Sequence, residues 1–289
     1  MGMAKNKISY SQLSMFSECP LRWKLNYIDD LKVSEPSIHL LFGTAMHEVI
    51  QSWLEVMYYD SVKNADKLNL EQRLHDKMFE QFQIEKERFG KNPCTLEEMK
   101  EFFNDGVAIL DFVKKKRAEY FSKRGYKLIG CEVPIEVDLK KNIKMVGYLD
   151  LVILDEISNT LKIYDIKTST RGWNKWMKKD ETKTQQLLLY KQFYSKQYNH
   201  PIDKIEVEYF IVKRKLWEEA MFPQKRVQKF SPASGKPSMN KVAKRLDNFL
   251  EIAFDDEGNR ISDNITPTPS KKACKWCEFR KTEYCSYGV

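Results

Sequence analysis

The 289-residue sequence predicts an α/β protein with a central mixed β-sheet flanked by helices. Two observations carry that reading. Segments with helical periodicity fill most of the first 121 residues. A run of β-prone segments follows, and then helix and strand return in alternation.

Taken in order, Ser9 to Asn26 reads as a first helix, with Ser9 as N-cap and Gln12 at the third position of a capping box. Leu40 to Tyr58 is a second helix, with Ala45, Val49, Ile50 and Leu54 on its apolar face. Leu70 to Phe89 and Leu96 to Phe121 are longer amphipathic helices, the latter capped by Thr95 with Glu98 three residues on. The spacing predicts strands over Lys127–Leu139, Ile143–Leu154 and Leu161–Thr168. Glu181 to Gln197 is helical, and Ile205 to Lys213 is an apolar-rich strand. Val227–Phe230 is a further strand candidate, and Met239–Ala253 is a late helix. The expected organisation is one domain over 1–289, with a helical insertion at 60–123 and a cysteine-rich tail at 265–289 that closes onto the N-terminal helix.

Bulk properties narrow the function classes. No apolar run reaches 18 residues, so no membrane-spanning helix is expected. Met1 to Tyr10 is polar and lacks an apolar signal core, so the expected location is the cytoplasm, or a host cytoplasm if the chain is virus-encoded. The net charge of +8 suits a nucleic-acid partner without demanding one. No G-x-x-x-x-G-K-[ST] phosphate loop is present, so ATP-driven unwinding would need a partner.

The chemistry concentrates in two neighbouring segments, Gly147-Tyr148-Leu149-Asp150 and Tyr164-Asp165-Ile166-Lys167. The polar stretch Asp155-Glu156-Ile157-Ser158-Asn159 between them holds turn residues. A hairpin centred between Ile157 and Ser158 sets Leu154 against Leu161, Val152 against Ile163 and Asp150 against Asp165. Directly opposed like charges repel, and a metal cation would turn that cost into binding. Lys167 points the same way as Asp165. The plain alternative is a pair of solvent-exposed aspartates.

Six cysteines in a reducing compartment point to metal or redox chemistry rather than disulfides. Cys274 and Cys277 form a C-x-x-C pair, and Cys285 can add a third thiolate. Cys19 is the best candidate for a fourth, with Cys94 and Cys131 as alternatives. Joining Cys19 to the tail closes a loop of 255 residues, which removes several kcal/mol of unfolded-state entropy in the chain-entropy model. Spacing alone does not separate an iron–sulfur cluster from structural Zn²⁺.

After Lys167 the chain runs through Arg171, Trp173, Lys175, Trp176, Lys178 and Lys179. Cations hold phosphates and indoles stack on bases, so these six are candidate contacts to single-stranded nucleic acid. The alternative is that the tryptophans pack the loop onto the core. Lys213 to Lys229 is a second basic stretch that would extend the path.

Taken together, these residues resemble the RecB-type iron–sulfur branch of the PD-(D/E)XK nuclease superfamily. They are similar to AddB-type helicase–nucleases and to iron–sulfur exonucleases associated with CRISPR adaptation. The resemblance runs from Ser9-Tyr10-Ser11-Gln12-Leu13 and Cys19-Pro20-Leu21-Arg22 through Gly43-Thr44-Ala45-Met46-His47. It continues in Gly147 to Asp150, Asp165 to Lys167, Gln186-Leu187-Leu188-Leu189-Tyr190 and the three-cysteine tail. Leu149 stands where the superfamily name has proline.

The resemblance implies a restriction-endonuclease-like core and metal-dependent DNA cleavage, with exonuclease action on single strands or ends. His47, Asp150, Asp165 and the Ile166 carbonyl would hold Mg²⁺ or Mn²⁺, and Lys167 would stabilise developing charge. Gln186 and Tyr190 would position the strand. Cys19, Cys274, Cys277 and Cys285 would hold a cluster of the [4Fe-4S] type. The implied partners are DNA and a helicase, recombinase or integrase, with oligomerisation possible. The competing reading is a non-catalytic nucleic-acid-binding or assembly subunit that keeps the fold.

Overall fold

The computed structural model describes residues 7–31, 35–263 and 265–289. Of the polar N-terminus read above, residues 1–6 lie outside this range. Six strands form one mixed sheet: β1 (Lys7–Ile8), β2 (Tyr126–Asp138), β3 (Lys144–Asp155), β4 (Thr160–Ser169), β5 (Ile205–Lys213) and β6 (Val227–Phe230). The path runs β1-β3-β4-β5-β6, and β2 pairs with β3 on its other edge. β4 and β5 are parallel over nine residue pairs, from Leu161↔Ile205 to Ser169↔Lys213. Parallel neighbours need a crossover. It is supplied by α8 (Lys175–Lys179), α9 (Glu181–Thr184) and α10 (Gln186–Tyr198).

Helices cover both faces. On one, α1 (Tyr10–Glu18), α2 (Pro20–Tyr27), α10 and α11 (Lys236–Ala253) contribute Leu13, Trp23, Phe193 and Phe249 to a core with Val133, Leu149, Ile163 and Tyr209. On the other, α3 (Ile38–Glu55), α5 (Leu70–Phe89) and α6 (Leu96–Lys115) pack Phe42, Trp53, Leu74 and Ile109 against Leu151, Ile153, Ile166 and Phe210. Two short helices, α4 (Val62–Lys67) and α7 (Arg117–Tyr120), flank this pair.

Several element boundaries differ from expectation for identifiable reasons. The first helix is two helices. Cys19 is extended at φ −158°, and Pro20 starts the next helix at its first position, where its missing N–H costs nothing. Ser9 is the N-cap residue of α1 but makes no side-chain cap. Gln12 is instead buried and accepts a hydrogen bond from Trp23 Nε1. The Thr95–Glu98 capping box forms as expected. The second helix starts at Ile38 and ends in a π-turn, Val56–Asp60. Residues 181–197 divide at Gln185 into α9 and α10. β1 was not anticipated, because two residues show no periodicity.

Near the turn the hairpin register is the expected one: Leu154 pairs Leu161, Val152 pairs Ile163 and Leu151 pairs Tyr164. Beyond Leu151 the two strands part, so the expected pairing of Asp150 with Asp165 does not form. β2 runs along one edge of β3 as far as Lys144, so β1 and β4 share the opposite edge. β1 takes Lys144–Met145 and β4 takes Leu151–Asp155, so among the described residues Val146 to Asp150 have no ladder partner on that edge. The sheet forks there.

The fork coincides with a change of phase. In β3, Leu149 belongs to one core and Leu151 to the other, although residues two apart normally share a face. In β2, Val133 and Cys131 are split in the same way. The residue between the β2 pair is Glu132, at φ +49°, and the residue between the β3 pair is Asp150. Neighbouring pairs Cys131↔Leu151 and Val133↔Leu149 put these two opposite each other.

Candidate active site

The fork gathers side chains from both layers. Asp150 takes the place of the next ladder bond: the Ile166 N–H donates to its Oδ2 at 2.7 Å. His47, from α3, has Nδ1 3.6 Å from the same oxygen. Lys167 Nζ lies 2.7 Å from Asp165 Oδ2. Asp165 is 2% exposed.

Burial sets the protonation chemistry. Both Asp150 and Asp165 are pushed up to about 6, above all by loss of water, with the Lys167 charge opposing the shift. The His47 imidazole is lowered by burial and by the nearby Lys167, so it is neutral at pH 7 and offers a lone pair. Lys167 stays protonated: the two aspartates raise it against the opposing effect of its burial.

Tyr190 approaches from the opposite layer. Gln186 Nε2 donates to its hydroxyl at 3.2 Å, one helical turn away on α10. A methyl group on Gly147 would meet that hydroxyl at 2.9 Å. The glycine of the Gly-x-x-Asp segment therefore makes room for the phenol. Sequence reasoning missed Gln51 and Glu132. Gln51 is buried one turn after His47, and its Nε2 donates to both Glu132 Oε1 (2.7 Å) and the Asp150 carbonyl (2.9 Å). The four-residue spacing from His47 was the available signal.

The donor set suits a hard divalent cation: two nearly buried carboxylates, a neutral imidazole and one compensating ammonium. As arranged, no group of three or more His, Cys, Asp or Glu side chains among the described residues is placed to hold a metal ion. Lys167 engages the Asp165 oxygen that a cation would share.

Cys19, Cys274, Cys277 and Cys285 line one pocket with Arg22, Leu25 and Phe279, whereas Cys94 and Cys131 belong to the other core. All six are free thiols. Soft sulfur ligands fit either Zn²⁺ or iron–sulfur chemistry. The tail also docks without them. Glu278 takes an ion pair from Arg22 at 2.7 Å and a hydrogen bond from Asn26 at 2.9 Å. Lys272 pairs with Asp180 at 2.7 Å.

Of the six candidate nucleic-acid contacts, Trp173 does not offer its face to solvent. It is 8% exposed, lies 4.8 Å from the Tyr209 ring, and its N–H donates to Gln228. Packing is the role its surroundings give it, because Gly172 turns the chain inward at φ +88°. Trp176 is exposed, with the Lys175 ammonium over its ring. Lys178 lies over Phe230, and Lys179 is exposed. Arg171 stacks on Trp217 at 4.3 Å. In the second basic stretch, Arg214 and Lys215 are neutralised by Asp105, Lys225 by Glu119 and Lys229 by Glu208.

With this geometry in place, the comparisons are decisive about family. The PD-(D/E)XK nuclease superfamily matches residues 7–283. The chain belongs to that superfamily. Among solved structures, it is similar to a protein from Eubacterium rectale described as a "Putative exonuclease". That match has a TM-score of 0.52 and 15% identity, covering 87% of this chain and 85% of the other. At that identity the likeness is one of fold. No curated protein matches the chain. No helix among the described residues is long and apolar enough to cross a membrane.

Proposed function

We propose that the protein is a divalent-metal-dependent deoxyribonuclease that acts as an exonuclease on single strands or DNA ends. The observation that carries this reading is the convergence of His47, Asp150, Asp165 and Lys167 at the sheet fork. Mg²⁺ or Mn²⁺ bound there would polarise the scissile phosphate and lower the pKa of an attacking water. Asp150, Asp165, His47 and the Ile166 carbonyl would hold the ion. Lys167 would leave Asp165 to stabilise the charge that develops on the phosphate. Gln186 and Tyr190 would orient the strand.

The strand would approach over exposed aromatics and cations. Trp176 with Lys175, Lys178 and Lys179 supplies one side. The stacked pair Arg171–Trp217 lines an open pocket of about 880 Å³ on the other. Trp217 takes the stacking role that sequence alone gave to Trp173. Cys19 and the three tail cysteines would hold a [4Fe-4S] cluster or a structural Zn²⁺ that staples residues 265–289 to the first two helices. DNA recombination, repair, replication and CRISPR adaptation are settings that use such an activity, with a helicase, recombinase or integrase as partner.

The test uses metal-stripped protein, end-labelled single-stranded and blunt duplex DNA, and added Mn²⁺. Wild type should cleave. Asp165→Ala and Lys167→Ala should lose activity by about 100-fold or more, with helical content unchanged. Cleavage retained in either variant overturns the assignment. A broad visible absorption band with iron and labile sulfide identifies a cluster; stoichiometric zinc without colour identifies the alternative.

A further inference from the structure

We infer that Glu132, held by Gln51, is a positioning carboxylate of the same site that strengthens divalent-cation binding. This inference rests on the nuclease reading above and deepens it.

Three observations converge. First, Glu132 lies opposite Asp150, between the pairs Cys131↔Leu151 and Val133↔Leu149, and Asp165 directly follows Tyr164, the last β4 residue paired with β3. Opposed side chains have Cβ atoms about 5 Å apart, so like charges there repel. The Lys167 charge acts on both Asp150 and Asp165, and Glu132 adds a further negative charge at Asp150. Second, Glu132 adopts φ +49°, a left-handed conformation that a glutamate in mid-strand takes only under constraint. Third, the constraint is visible. The Gln51 amide binds the Glu132 carboxylate and the Asp150 carbonyl together, from the same face of α3 that presents His47. Gln51 is the one hydrogen-bond partner of the Glu132 carboxylate among the described residues, so its other oxygen is left to solvent.

A carboxylate in this position does not need to touch the cation. It would add negative potential beside the ion, and it shares with Asp150 the amide that binds them both. Partners of that kind are typically worth about 10- to 100-fold in metal affinity. A bound cation would offset the repulsion between Glu132 and Asp150.

The experiment is a titration of metal-stripped, DNA-free protein with Mn²⁺, reading free ion by electron paramagnetic resonance. Binding lost in Asp165→Ala identifies the site. Glu132→Gln keeps the shape and the Gln51 hydrogen bond and removes only charge. It should weaken Mn²⁺ binding by about tenfold or more without lowering the melting temperature of the metal-free protein. Glu132→Gly should weaken binding likewise while relieving the backbone. Wild-type affinity in Glu132→Gln overturns the inference and leaves the nuclease reading standing. A wild-type protein that binds no Mn²⁺ overturns both.

Discussion

Gly147 is a glycine because of a phenol on another helix. A methyl there would sit 2.9 Å from the Tyr190 hydroxyl, and Tyr190 is buried with little room to yield. Gly147→Ala should therefore displace Tyr190 and cost about 1–3 kcal/mol, read as a lower midpoint in urea, together with most of the cleavage activity. Asp150 makes the opposite case. Its carboxyl is raised to about 6, so between the unfolded value near 4 and 6 the folded chain binds more protons than the unfolded one. By linkage, this group's contribution to stability falls as pH rises through that window and stays unfavourable above it. Asp150→Asn keeps an acceptor for the Ile166 N–H and removes the charge. It should raise the melting temperature of metal-free protein at pH 7.5 while abolishing cleavage. Cleavage by wild type should decline as pH falls below about 6, because Asp150 and Asp165 must be ionised to hold a cation. The hairpin register around the turn, with Leu154 against Leu161 and Val152 against Ile163, was legible from the apolar alternation, but the point where the ladder ends, before Asp150 and Asp165, was not. Glu132 and Gln51 were not legible either, since a positive φ and a hydrogen bond between a helix and a strand leave no mark in composition.

Among elements, the tail depends on α2 through Glu278. Its ion pair with Arg22 is partly shielded from water, at 15% and 22% side-chain exposure. Removing Glu278 leaves Arg22 only its longer pair with Glu18 at 3.5 Å and takes the Asn26 hydrogen bond as well, so Glu278→Ala should destabilise tail docking by about 1–3 kcal/mol. Faster proteolysis after Lys271 or Lys272, with the sheet still folded, would report it. The loop after β4 shows where sequence reading stopped. Trp173 and Trp176 are equivalent by composition, and only the turn at Gly172 decides which is core. Single-strand affinity should accordingly fall well over tenfold in Trp176→Ala plus Trp217→Ala. Trp173→Ala should act mainly on stability, by about 3–5 kcal/mol for a buried aromatic. Equal loss of affinity in a still-folded Trp173→Ala would contradict that division.

At the scale of the whole molecule, the order of helices and strands was sufficient for a mixed sheet with helices on both faces. Long periodic segments such as Leu70–Phe89 and Ile205–Lys213 end where their pattern ends. The six-strand order and the fork were not legible. They depend on which edge of β3 each neighbour takes, and on a two-residue strand with no pattern of its own. The fork also joins the two cores, since His47 enters from the α3 layer and Tyr190 from the α10 layer. Mutations that loosen either layer should therefore lower activity before they unfold the sheet.

The phase change at Glu132 and Asp150 has a practical use. Along β3 the apolar beat runs out of step across Asp150, like two rulers joined half a division apart, and along β2 it changes core across Glu132, close to the register shift between Leu128 and Gly130. The two slips lie on neighbouring strands and face one another, so they intersect at a point. That point can be found from hydrophobicity and pairing alone, with no motif in hand. In other mixed sheets of unfamiliar sequence, paired slips of this kind mark where to look first for chemistry.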